Sequence, residues 1–137
     1  MTDGNRRDSP RHEKALEPDD LGRLFLQRAN GGDIEGVVAL YEREAVLESP
    51  ASRLTTGLDA IRALYEQLFA SRPSFAGDVR PAIRVGELAL TSTQFDVVST
   101  NTDGRPIMTR TATVEIARRQ SDGSWLWVID KPNVLSR

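Results

Sequence analysis

Residues 32–50 read GDIEGVVALYEREAVLESP, and this stretch joins a helical pattern to a strand. Asp33 stands where a helix wants a cap. Ile34, Val37, Val38 and Tyr41 then follow at one helical face, which predicts a short helix. From Ala45 the run AVLES reads as a strand, and Pro50 ends it because it has no N–H for a ladder. Upstream, Asp19 and Asp20 are candidate caps, and Leu21, Leu24, Phe25 and Ala29 share a helical face. Asn30-Gly31-Gly32 closes that helix. Downstream a loop leads to Gly57, where a third helix starts and buries Leu58, Ile61, Leu64, Tyr65, Leu68 and Phe69.

After Pro73 the period changes from 3.6 to 2. Segments near 75–85, 88–101, 106–119 and 124–131 are rich in Val, Ile, Thr and Trp. Asp103-Gly104 and Asp122-Gly123 separate the later ones, residues suited to the positive φ of tight hairpins. The order is helix, helix, strand, helix and four antiparallel strands. That predicts an α+β domain, with helices on one face of a curved sheet.

The chain has 137 residues, enough for one core. Residues 1–18, MTDGNRRDSPRHEKALEP, have almost nothing to bury. They read as a flexible polar leader, with the domain over 19–137. Net charge is -2, which gives no bulk attraction to nucleic acid or to an anionic membrane. There is no cysteine and only one histidine, His12. Thiol chemistry is excluded, a Ser-His-Asp triad is hard to build, and neither a metal nor a cofactor is expected. No apolar run approaches spanning length, so the expected location is the cytoplasm.

Several stretches resemble the NTF2-like superfamily, in its SnoaL-like and ketosteroid-isomerase-like branch. They are GDIEGVVALYEREAVLESP, GLDAIRALYEQLF at 57–69 and DGSWLWVIDKPN at 122–133. The resemblance covers about residues 19–134. It implies a cone with three N-terminal helices on a strongly curved, mostly antiparallel sheet. It also implies a pocket inside the cone and a homodimer through the outer sheet face. In ketosteroid isomerases a similar strand ends in the carboxylate that shuttles the substrate proton; the matching residue here is Ser49. The isomerase tyrosine on the first helix matches Phe25. A protonated acid of the oxyanion hole matches Glu115, and two supporting tyrosines match Tyr41 and Tyr65. Classical steroid isomerisation is therefore not expected. An isomerase, cyclase or hydratase without the usual base remains open, beside a non-catalytic binding or dimeric interaction domain.

Strand alternation divides the candidate residues by face. In TRTATVEIA, Thr109, Thr111, Thr113 and Glu115 share one face. In WLWVID, Leu126, Val128 and Asp130 share one, and Trp125, Trp127 and Ile129 the other. The family register turns the Thr/Glu and Leu/Val/Asp faces to the pocket and the tryptophans outward to the dimer. The expected apolar walls are Phe25, Leu47, Phe95, Val97, Leu126 and Val128. The expected polar groups are Tyr41, Ser49, Tyr65, Thr111, Thr113, Glu115 and Asp130. Glu115 and Asp130 are the catalytic candidates, since a buried carboxyl with a raised pKa can act as general acid or base. Each has a plainer reading. Glu115 can pair with Arg110 or Arg118, Asp130 can organise the chain exit before Pro132, and the tyrosines can be core aromatics. Glu48 alternates away from the pocket, towards solvent or an ion pair.

Overall fold

A computed structural model describes residues 12–134. The expected leader falls partly outside them. Its described end, 12–18, packs on the domain: Ala15 is buried in the core, and its carbonyl accepts from the Trp125 N–H at 2.8 Å.

Helix α1 (Asp20–Asn30) and the short α2 (Ile34–Val38) lead into strand β1 (Tyr41–Ser49). Strand β2 (Arg53–Thr56) and helix α3 (Leu58–Phe69) follow, and then β3 (Ser74–Val85), β4 (Leu88–Thr100), β5 (Pro106–Arg119) and β6 (Trp125–Lys131). The six strands form one sheet in the order β2-β1-β6-β5-β4-β3. All neighbours are antiparallel except β1 and β6, which run parallel. The expected α+β architecture is present, with one strand more than the sequence pattern gave.

The caps differ between helices. Asp33 caps α2 as expected, accepting from the Gly36 N–H at 2.9 Å. Asp19 and Asp20 do not cap α1 with their side chains. Asp19 accepts from the Ala82 N–H of β3 at 2.8 Å, and Asp20 from the N–H groups of Leu16 and Glu17. They tie α1 to the sheet and to the segment before it. Gly22 lets α1 settle on β4, for a Cβ there would lie 2.8 Å from Thr93 Oγ1. The apolar stripes of α1 and α3 close over the sheet through Leu21, Leu24, Ile61, Tyr65 and Phe69.

Two readings of residues 41–56 are corrected. Tyr41 is not on a helix; it opens β1, which is longer than AVLES alone suggested. The loop after Pro50 is a tight turn, with Ala51 and Ser52 at φ 67° and 59°, and it returns the chain antiparallel as β2. The turn keeps a strand edge that the pattern of residues 53–56 was too short and polar to announce.

Candidate active site

On β5, Thr111, Thr113, Glu115 and Ala117 are buried along the inner face, as strict alternation requires. On β4, Ala89, Thr91, Thr93 and Phe95 do the same. Strand β6 breaks the rule. Ile116 pairs with Ile129 and Ala117 with Trp127, so Val128 is an extra residue, a bulge. The bulge lets Trp127 and Asp130 share the inner side although they lie three positions apart. Trp125 and Trp127 are therefore core residues, not outward dimer residues. Leu126 and Val128, expected as pocket walls, alternate to the other side and are half-buried.

Glu115 and Asp130 stand opposite each other in register and are only 3% and 4% exposed. Among the described residues neither pairs with an arginine: Arg110 bonds Asp96 and Arg118 bonds Glu42. Thr91 Oγ1 donates to Glu115 Oε1 at 2.6 Å and accepts from Trp127 Nε1 at 3.0 Å. Tyr41 donates its hydroxyl proton to Asp130 Oδ2 at 2.5 Å, and the Tyr65 hydroxyl lies 2.7 Å from that of Tyr41. The remaining oxygen, Asp130 Oδ1, is buried without a hydrogen-bond partner among the described residues. An orphan of this kind is rare in a folded interior and marks a place for water, a proton or a ligand group.

Burial moves both carboxyls in one direction. It raises the Glu115 pKa to about 8, helped by the nearby Asp130 charge and opposed by bonds from Thr113 and Thr91. It raises Asp130 to about 7 against the bond from Tyr41. Two carboxyls this close in a dry interior cannot both ionise cheaply, so near neutrality the pair holds at least one proton. Burial, then the Asp130 charge, also pushes both tyrosines well above the usual phenol range, so both hydroxyls keep their protons.

Tyr65 connects this network to a space. A cavity of about 310 Å³ opens between α1, α3 and the sheet, lined by Phe25, Tyr65, Phe69, Phe75, Phe95 and Val97 among others. Phe25 is part of its wall, stacked on Phe95 at 6.2 Å between centroids and edge-on to Phe75 at 5.7 Å. Ser71, Ser99 and Pro132 lie among the other lining residues. Such a mostly apolar wall with three hydroxyl-bearing residues, Tyr65, Ser71 and Ser99, suits a small apolar molecule carrying a polar end.

The remaining candidates separate from this centre. Phe25, Tyr65, Phe95 and Val97 line the cavity, while Leu47 is packed in the core. Thr113 Oγ1 accepts from the Thr93 N–H at 3.2 Å, and Thr111 donates to the Pro132 carbonyl at 3.0 Å. Ser49 does not line the cavity; its hydroxyl donates to the Arg53 carbonyl at 3.1 Å within the β1–β2 turn. Glu48 points outward and pairs with Lys131 at 2.7 Å, as alternation predicted. Among the described residues no group of three His, Asp or Glu side chains converges to hold a metal.

The model of the SnoaL-like domain family matches residues 23–127. The chain belongs to this family. A ketosteroid isomerase-like protein from Erwinia carotovora atroseptica superposes with a TM-score of 0.77 at 20% identity, covering 87% of this chain and 94% of that one. An NTF2-like protein with a cystatin-like fold from Novosphingobium aromaticivorans gives 0.67 at 21% identity, covering 86% and 79%. A domain of unknown function with a cystatin-like fold from Nostoc punctiforme gives 0.73 at 17% identity, covering 87% and 75%. At these identities the likeness shows the NTF2-like fold alone. No curated protein matches the chain.

Two partners in this SnoaL-like site escaped the sequence reading, Thr91 and the inward Trp127. Thr91 was legible, because it has the same parity as Phe95 on β4. Trp127 was not, because nothing in WLWVID marks Val128 as a bulge.

Proposed function

We propose that this SnoaL-like protein takes a small, mostly apolar carbonyl compound into the aromatic cavity and acts on it by proton transfer. The reaction class is isomerase- or lyase-type: isomerisation, cyclisation, or addition and loss of water. The observation that carries this reading is the hydroxyl chain from Tyr65, at the cavity wall, through Tyr41 to Asp130.

Of the hydroxyl-bearing residues of the wall, Tyr65, Ser71 and Ser99, Tyr65 is the one joined to the carboxyl chain, and its hydroxyl is the group a ligand's oxygen would use. When Asp130 carries its proton on Oδ2 the hydroxyls turn the other way, and Tyr65 gives its proton to the ligand's oxygen as it accepts that of Tyr41, which accepts one from Asp130. No phenolate accumulates, which suits two phenols held far above their ordinary pKa. Glu115 is the second reservoir of the pair, and run backwards the same chain acts as a base. Substituting the pair, E115Q/D130N, is expected to lower turnover at least about 100-fold while the cavity still binds, and Y65F to do likewise. Turnover surviving in the double variant would overturn the assignment.

One observation favours a second reading, a binding protein without chemistry. Ser49 takes the place of the strand-end carboxylate of similar isomerases, and its hydroxyl is spent on a turn. This reading predicts saturable ligand binding, seen as a rise in melting temperature, with no product.

The proposal includes a homodimer through the outer sheet face. Ile83 and Val85 at the β3 end are 70% and 76% exposed, beside exposed Leu88 and Leu90 on β4. An apolar stripe shared by neighbouring strands suits a self-complementary interface. Native mass spectrometry at high concentration is expected to give a dimer, and a strict monomer would contradict this part.

A further inference from the structure

The bond chain on the far side of Glu115 ends on a group that can only donate. An indole N–H has no acceptor capacity. Thr91 Oγ1 must therefore spend a lone pair on Trp127. Thr91 is buried, 4% exposed, and among the described residues its hydroxyl bonds only Trp127 and Glu115. Its single proton has one acceptor in reach, Glu115 Oε1. Turning the bond round, with Glu115 donating from Oε1, would leave the threonine proton buried and unmade, which costs about 1–3 kcal/mol.

We propose that Trp127 and Thr91 are positioning residues for Glu115. The indole fixes the threonine hydroxyl as a donor and the hydroxyl fixes Oε1 as an acceptor, so the carboxyl's proton is carried on Oε2, with the Thr113 hydroxyl the other group beside the carboxyl. This rests on reading the carboxyl pair as the acid–base centre, and it assigns which oxygen of Glu115 is reactive. It also couples the ionisation of Glu115 to an indole N–H through one hydroxyl.

The groups around Glu115 are few. Asp130 faces it from β6, with Tyr41 of β1 and Tyr65 of α3 beyond. Thr91 and Thr113 contribute hydroxyls from β4 and β5. The arginines of α1 are engaged elsewhere: Arg23 bonds Glu13, and Arg28 bonds the Glu13 and Gly36 carbonyls. On β5, Arg110 and Arg118 pair with Asp96 and Glu42.

The test uses the full chain and no ligand. Glu115 is followed by carbon-13 NMR of its side-chain carboxyl against pH, and Trp127 by its indole N–H signal, with Trp125 as the control. In the native protein the Trp127 signal is expected to shift with the Glu115 midpoint, while Trp125 does not. Thr91→Val removes one donor to the ionised carboxylate, leaving the Thr113 hydroxyl in place, and should raise the Glu115 midpoint by about one pH unit. It should also uncouple the indole. Thr91→Ser should restore both. Should the valine variant fail to fold, Trp127→Phe keeps the ring but frees the threonine to turn, and a smaller rise is expected. Unchanged Glu115 midpoints in the folded variants, or no rescue by serine, would overturn the proposal. Because no readout depends on turnover, a non-catalytic cavity would leave the result intact.

Discussion

On the outer face of the sheet Glu42, Glu48 and Asp96 each lie beside a cation: Arg118 at 2.9 Å, Lys131 at 2.7 Å and Arg110 at 3.1 Å. On the inner face of the same sheet Glu115 and Asp130 meet, among the described residues, only hydroxyls and each other. Burial opposes ionisation of Glu42 as well, but bonds from Arg118 and Gln120 outweigh it and lower its pKa. Burial of the inner pair meets no cation, and their pKa values rise. An outer carboxylate is part of solubility. An inner carboxyl retained at the expense of stability is a candidate for function, because an apolar replacement would pack without that penalty.

The largest effect expected from breaking this contrast is on the inner side. Trp127→Ala removes an indole that packs against Phe25 and Tyr41 and holds Thr91. It should cost about 3–5 kcal/mol in chemical denaturation. Trp127 on an outer face would cost far less.

Next comes pH. Both inner carboxyls bind protons more tightly folded than unfolded, so their contribution is full below about pH 4, the ordinary carboxyl range. It is lost as pH rises through about 7 and 8. Melting temperature should fall by about 5 °C or more between pH 5 and pH 8.5. In E115Q/D130N that dependence should vanish, and the variant should be the more stable protein at pH 8.5. A native protein equally stable at both pH values would contradict the inner side of the comparison.

Tyr41→Phe leaves Asp130 Oδ2 and the Tyr65 hydroxyl without their shared partner. A loss of about 1–3 kcal/mol is expected. The smallest effect belongs outside: Lys131→Ala, which breaks the exposed pair with Glu48, should change stability by less than about 1 kcal/mol.

The same contrast explains what the sequence allowed. Period and turn residues were enough for α1, α3 and the four late strands, because each carries an unbroken pattern of its own. Alternation grouped Thr109, Thr111, Thr113 and Glu115 on one face of TRTATVEIA, and the family register turned that face, with Glu115, inward. Strand β6 was not, because one extra residue at Val128 reverses parity without changing residue type. Asp130 was placed inward on a register that also sent Trp127 outward, and only the bulge lets both face in. Ser49 was drawn into the pocket by its match to a family position, whereas local geometry, a turn with two positive φ angles, ties it to the hairpin. Strand-edge turns and bulges depend on backbone packing that no single side chain announces.

The most direct test of the account is the pH titration of the two inner carboxyls in the native protein by carbon-13 NMR. The account predicts midpoints near 8 for Glu115 and near 7 for Asp130, each far above the ordinary carboxyl range. Midpoints near 4, in the ordinary carboxyl range, would show two ionised groups in contact with water and would contradict it.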